Sequence, residues 1–264
     1  MPGTVWFVGA GPGDPELLTV KGKKLLERAG AVLFAGSFVD AAATRYAPPG
    51  CLIRDSKDMT LEEMTEWLVA AAKAHETVVR LQTGDPTLYG ALIELTRPLT
   101  AAGVPWKVVP GVSSAMAAMA AAGESMTLPE VTQTVILTRV AGRTPMPPGE
   151  ELESLAAHRS TICLFLSITR LAEVERGLRA AGWAEASPVL VVHKASWADE
   201  ERIVRTTLGE LRRACREAGI VSQAMIVVGP TLGAASWPDL ARSKLYDPSF
   251  THRWRKAKTK ECDT

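Results

Sequence analysis

The chain lacks the features that would place it in several functional classes. Apolar residues make up 47% of its 264 positions but are spread along its length, and no run is long enough to cross a bilayer. Met1–Gly13 shows no signal-peptide pattern, so the expectation is a soluble, cytoplasmic protein. Cys51, Cys163, Cys215 and Cys262 are far apart and form no C-x-x-C pair, which argues against a disulfide framework and a zinc site and leads us to expect no bound metal. A formal net charge of +1 leaves no global field of the kind nucleic-acid binders carry. Any anion binding must come from local clusters.

What is present is an alternation of short β-rich runs and helical patterns, the signature of an α/β protein built around largely parallel sheets. Strands are expected at 5–8, 31–34, 77–81 and 106–109, with helices over 17–28, 61–74, 88–102 and 113–122. The pattern breaks over 124–130. Beyond it, strands are expected at 134–139, 161–166, 189–193 and 225–228, with a further one at 203–207, and helices over 170–181 and 208–218. A loop over 142–149 is too rich in Pro and Gly to be regular. We therefore expect lobes at 1–123 and 124–240, followed by a basic tail at 241–264. That tail ends in Arg253, Arg255, Lys256, Lys258 and Lys260 and is expected to be solvated and disordered.

Three glycine-bearing turns follow strands of the first lobe. Gly9-Ala10-Gly11-Pro12-Gly13-Asp14 falls short of the dinucleotide fingerprint, because Asp14 stands where G-x-G-x-x-G requires glycine and Pro12 removes a backbone donor. The acid expected after the second strand is also missing, since Ala35-Gly36-Ser37 stands there. A phosphate-free ligand fits better. Thr83-Gly84-Asp85-Pro86-Thr87-Leu88-Tyr89-Gly90 and Pro110-Gly111-Val112-Ser113-Ser114-Ala115 are the other two turns. Each alone reads equally as a strand-to-helix turn with a capping residue. Together they would line one edge of one sheet, where open α/β sheets bind ligands.

In order and spacing, Val8 to Thr19, the Gly84-Asp85-Pro86 turn and Pro110 to Ala115 resemble the tetrapyrrole (corrin and porphyrin) C-methyltransferase family over residues 4–236. The resemblance implies two α/β lobes with S-adenosylmethionine in the cleft between them, S-adenosylhomocysteine as product, and a homodimer. It carries cofactor contact onto Pro12, Thr83, Gly84, Asp85, Leu88, Ser113 and Ser114. It extends to Leu166, where the family often has methionine, and to Ala195, where glycine is common. Uroporphyrinogen-III relatives carry an Asp-Arg-Leu-Val-like segment after the second strand, whose aspartate is a candidate proton acceptor. Here Phe34-Ala35-Gly36-Ser37-Phe38-Val39 lacks that acid. Ala35-Gly36-Ser37, Asp55-Ser56, Met59 to Glu63, Ala195-Ser196-Trp197 and Asp199-Glu200 instead resemble precorrin-4 or cobalt-precorrin-4 C11-methyltransferases.

The implied chemistry is attack of an electron-rich macrocycle carbon on a sulfonium methyl, in which the protein aligns the reactants and excludes water. No Ser-His-Asp or Cys-His arrangement is needed. No catalytic residue is assigned, and His75, His158, His193 and His252 receive no catalytic role. A polycarboxylate tetrapyrrole requires cations, for which Arg54, Lys57, Arg80, Arg139, Arg143, Arg170 and Lys194 are the candidates near strand ends and loops. A ribose methyltransferase acting on RNA and a diphthine synthase would share the glycine loops, and a non-catalytic S-adenosylmethionine sensor remains a reading from another class. A nicotinamide-dependent oxidoreductase is disfavoured by Pro12 and the missing acid.

Overall fold

A computed structural model of the chain describes residues 1–39 and 41–257. The first sheet is entirely parallel and contains β1 (Thr4–Gly9), β2 (Ala31–Phe34), β3 (Leu52–Asp55), β4 (Thr77–Gln82) and β5 (Trp106–Val109), in the order β3-β2-β4-β1-β5. Its helices are α1 (Val20–Leu26), α2 (Leu61–Ala74), α3 (Leu92–Ala101) and α4 (Ser114–Ala122).

Alternate residues of the strands feed two apolar layers. Val8, Val32, Val79 and Leu81 pack with Leu25 and Leu26 of α1. On the opposite face Val5, Phe7, Leu33 and Val78 pack with Leu68 of α2 and with Leu95 and Leu99 of α3. The connection leaving β1 through α1 and the one leaving β4 through α3 therefore pass over opposite faces and in opposite directions. Adjacent strands with diverging exits leave a crevice at their carboxyl ends, the topological switch point of an open sheet.

A second five-stranded sheet takes the order β6-β7-β10-β8-β9 from β6 (Val135–Thr138), β7 (Thr161–Leu164), β8 (Pro188–His193), β9 (Arg202–Thr207) and β10 (Ala224–Val228). It is mixed rather than largely parallel, because β6 runs parallel to β7 and β10 antiparallel to it. The remaining helices are α5 (Leu152–Ala156), α6 (Leu171–Ala180) and α7 (Leu211–Glu217). The chain divides into two compact units: Met1–Ala122 with Val191–Val204 and Ile220–Met225, and Gly123–Leu190 with Arg205–Gly219 and the chain from Ile226 on. Two later segments thus return to the first unit, where the sequence pattern suggested a single change at 123.

Several expected elements shift for local reasons. The helix expected from Leu17 starts at Val20, because Pro15–Leu17 forms its own 3-10 turn capped by Asp14, and Thr19 then caps α1 through Gly22 N. The helix expected from Leu88 starts at Leu92, since Tyr89 (φ 55°) and Ala91 (φ 49°) are left-handed. The expectation of a disordered tail is corrected for its described part. Lys244–Tyr246 is a 3-10 turn, and Arg255, bridged to His252, donates to the carbonyls of Leu245 (2.8 Å) and Asp247 (2.5 Å). Arg253 and Lys256 lie in this ordered stretch, while Lys258 and Lys260 lie outside the described residues. No helix among the described residues is long and apolar enough to cross a membrane.

Candidate active site

The turns after β1, β4 and β5 meet at the carboxyl edge of the first sheet through backbone rather than side chains. Gly11 N donates to Gly84 O (3.3 Å) and Gly84 N to Gly11 O (2.8 Å), an isolated bridge tying the first turn to the second. A Cβ on Gly111 would stand 2.1 Å from Gly84 O and 2.7 Å from Gly9 Cα; one on Gly9 would stand 2.5 Å from both Gly84 O and Gly111 Cα. Only glycine permits that approach. Gly84 itself has φ +59°, and a Cβ there would meet Ser113 Cα and Ser114 N at an ordinary 3.7 Å, so its constraint is conformational rather than steric.

Asp85 braces this junction. Its Oδ2 accepts from Gly111 N (2.9 Å), and its Oδ1 from Thr87 N (2.8 Å) and the Thr87 hydroxyl (2.5 Å). Burial pushes the carboxyl up, but the hydrogen bonds from Thr87 and Gly111 outweigh it and hold Asp85 below the usual carboxylate range. Both oxygens are thus committed within the protein, and the side chain acts as a clamp between two turns. Leu88 N closes the turn by donating to Asp85 O (3.2 Å). The Gln82 side-chain amide donates to Gly90 O (2.5 Å). Thr83 Oγ1 donates to Phe38 O (2.7 Å), joining this turn to the one after β2. Ser113 Oγ accepts from Ala115 N (3.4 Å), and Ser114 opens α4.

A clasp that the sequence reading did not connect lies on the first turn. Trp197 Nε1 donates to Pro12 O (2.9 Å), Asp14 N donates to Ser196 Oγ (3.0 Å), and a Cβ on Gly13 would stand 2.1 Å from the indole. Ala195 is buried beside this clasp, between left-handed Lys194 and Ser196. The first unit therefore brings together Pro12, Thr83, Gly84, Asp85, Leu88, Ser113, Ser114 and Ala195. Leu166 belongs to the second unit, in a left-handed turn (φ 52°) after β7, with 59% of its surface exposed.

The seven candidate cations separate by environment. Arg80 is corrected as a substrate ligand: it is 5% exposed, and its Nη1 donates to Ser56 Oγ (2.8 Å) and Leu33 O (3.4 Å) while Nη2 faces Met64 Sδ (3.6 Å). Burial brings its guanidinium down to about 10, opposed by the Asp55 carboxylate. Its position on β4, facing the α2 layer, points it into the core. Arg139 fastens its own loop through the carbonyls of Val140 (3.3 Å), Thr144 (3.2 Å) and Pro145 (2.8 Å). Arg170 pairs with Glu173 (3.3 Å). Lys194 pairs with Glu200 and lies over the Trp197 ring (4.8 Å). Lys57 pairs with Asp55 (3.5 Å), and Arg54 on β3 and Arg143 are exposed. His193 is a satisfied buried side chain: burial lowers its pKa, against the carbonyl of Glu200 at 3.3 Å from Nδ1.

Residues 4–212 match the family described as tetrapyrrole (corrin/porphyrin) methylases. The chain is 48% identical to a cobalt-precorrin-4 C(11)-methyltransferase of Priestia megaterium, over 96% of this chain and 97% of the relative. A precorrin-4 C(11)-methyltransferase of Pseudomonas aeruginosa is 41% identical, over 96% and 98%. Among solved structures, the cobalt precorrin-4 methyltransferase CbiF superposes with a TM-score of 0.83 at 48% identity, covering 86% of this chain and 94% of that one. A uroporphyrin-III C-methyl transferase from Thermus thermophilus, solved with S-adenyl homocysteine, gives 0.71 at 30% identity, covering 88% and 94%.

Proposed function

The chain belongs to the tetrapyrrole (corrin/porphyrin) methylases, and from that premise we propose that it transfers the methyl group of S-adenosylmethionine to C11 of a precorrin-4-type macrocycle in cobalamin biosynthesis. The observation that carries this reading is the nearly full-length similarity to enzymes named for that reaction. The relative named for the cobalt-containing substrate has the higher identity, which favours cobalt-precorrin-4 over its metal-free counterpart.

S-adenosylmethionine supplies an electrophilic methyl group and carries no phosphate. An edge built from uncharged backbone and the Ser113 and Ser114 hydroxyls suits such a phosphate-free nucleoside. Pro12, Thr83, Gly84, Leu88, Ser113, Ser114 and Ala195 would hold it in the first unit. Asp85 would act by keeping the turns after β4 and β5 in register. The chain's contribution to rate is then chiefly alignment and exclusion of water, effects that supply about 7–11 kcal/mol of a barrier. Arg54, Lys57, Arg139, Arg143, Arg170 and Lys194 remain the proposed cations for the substrate's carboxylates, and the working form is a cytoplasmic homodimer.

Transfer of a 13C-labelled methyl from S-adenosylmethionine to cobalt-precorrin-4, precorrin-4 and uroporphyrinogen III, with NMR locating the label, tests the reading. Label at C11 of a precorrin-4-type acceptor is expected. Label on uroporphyrinogen III alone would overturn the substrate, and tight cofactor binding without transfer would point to a sensor.

A further inference from the structure

The turn after β2, Ala35-Gly36-Ser37, carries no acid of its own, yet a carboxylate stands in it. Asp55, the last residue of β3, accepts from Gly36 N (2.9 Å) and from Lys57 N (3.0 Å), both at Oδ1. Oδ2 is left facing the Lys57 ammonium at 3.5 Å. A Cβ on residue 36 would lie 2.2 Å from that Oδ2. Glycine at 36 therefore vacates the room that a side chain of the β2 turn would fill, and β3 sends a carboxylate into it. Arg80 of β4 bears on the same group electrostatically and holds the neighbouring Ser56 hydroxyl at 2.8 Å. Lys57 and Arg80 are thus the charges that face Asp55.

Four other carboxylates of this unit are engaged by hydrogen bonds or an ion pair. Asp85 accepts through both. Asp14 Oδ1 caps the turn at Glu16, Glu200 pairs with Lys194, and Glu201 accepts from Ser196 N (2.6 Å). Asp55 uses one oxygen for the backbone, and its second accepts no backbone hydrogen bond and faces the exposed Lys57 ammonium. In the order β3-β2-β4 it ends two strands from the turn after β4. At about 4.8 Å per strand that is roughly 10 Å, a reach that a four-ring macrocycle covers.

Methylation of an enamine carbon creates positive charge. In the metal-free acceptor the ring C=C electron pair forms the new C–C bond to the methyl carbon, the C–S bonding pair leaves with sulfur, and the macrocycle is left as an iminium until a ring N–H releases its proton. A preorganised carboxylate stabilises that charge as it develops and takes the proton.

We propose that Asp55 is a catalytic residue whose Oδ2, admitted to the β2 turn by Gly36, accepts the ring N–H proton released on methylation. This rests on the methyltransferase reading above. Asp55→Asn tests it cleanly, because the amide oxygen retains both backbone hydrogen bonds while charge and proton acceptance are lost. The full-length variant is expected to keep the melting temperature and the S-adenosylmethionine Kd of the parent within twofold, to lose at least 100-fold in kcat, and to lose the acidic limb of the kcat–pH profile. Gly36→Ala, which displaces the carboxylate while leaving it ionised, should lower kcat and retain a pH-dependent limb. An Asp55→Asn enzyme with kcat within threefold of the parent, or one whose loss comes with weakened cofactor binding and an unaltered pH profile, would overturn the proposal. Labelled-methyl transfer by the parent enzyme is the control: no transfer to any tetrapyrrole removes the methyltransferase reading and this inference together, whereas transfer by both parent and variant removes the inference alone.

Discussion

The two ends of the first sheet's carboxyl edge are built from different materials. At the β4-β1-β5 end, Gly9, Gly84 and Gly111 bring backbone against backbone, and the Asp85 carboxylate is consumed by internal hydrogen bonds. At the β3-β2 end, the Asp55 carboxylate stands against Gly36, with the Lys57 ammonium beside it and the buried Arg80 of β4 bearing on it electrostatically. The first arrangement is shape without free charge and suits a cofactor that must be gripped closely. The second is charge placed by shape, as a reaction that generates a cation requires. On the function proposed above, one edge would divide binding of the methyl donor from treatment of the acceptor.

The sharpest way to break the first end is Gly111→Ala. A Cβ 2.1 Å from Gly84 O must push two turns apart, and calorimetric titration should show cofactor affinity reduced by at least 100-fold. Next, Asp85→Ala removes the clamp. Hydrogen bonds to a charged group are worth about 1.5–3 kcal/mol each, part of which the loosened turns regain from water, so a 10- to 100-fold weaker Kd, about 1.4–2.7 kcal/mol, is expected. Arg80→Ala should leave cofactor affinity unchanged but lower the melting temperature by roughly 5–10 °C, through a cavity and the unpaired Ser56 hydroxyl and Leu33 carbonyl.

The smallest effect is that of pH. Because Asp85 is held below its ordinary value, its stabilising contribution is fully present above the unfolded value of about 3.9 and is lost as pH falls through the folded one. Cofactor affinity should therefore be flat in its Asp85-dependent part from pH 8 to 5 and fall below about 4, as isothermal titration across that range would show.

Much of this was legible in the residue pattern, for identifiable reasons. β2 and α2 have the expected bounds because an unbroken apolar run makes one, and Thr60 and Glu63 form a capping box at the start of the other. β3 escaped notice because Leu52, Ile53 and Arg54 are exposed on an edge strand and carry no inside-outside alternation. The glycine turns announced the candidate site, since glycine density marks close backbone approach. The clasp of Trp197 on Pro12 did not, because a contact spanning 185 residues leaves no local signal. Arg80 misled for a related reason. A cation near a strand end reads as available, and only the packing of Met64 and Ser56 around it reveals that it is not.

The most direct test is to titrate S-adenosylmethionine into Asp85→Ala and Asp55→Asn side by side. The division of the edge predicts a Kd weakened 10- to 100-fold in the first variant and within twofold of the parent in the second. Equal weakening in both, or normal binding by Asp85→Ala, would contradict it.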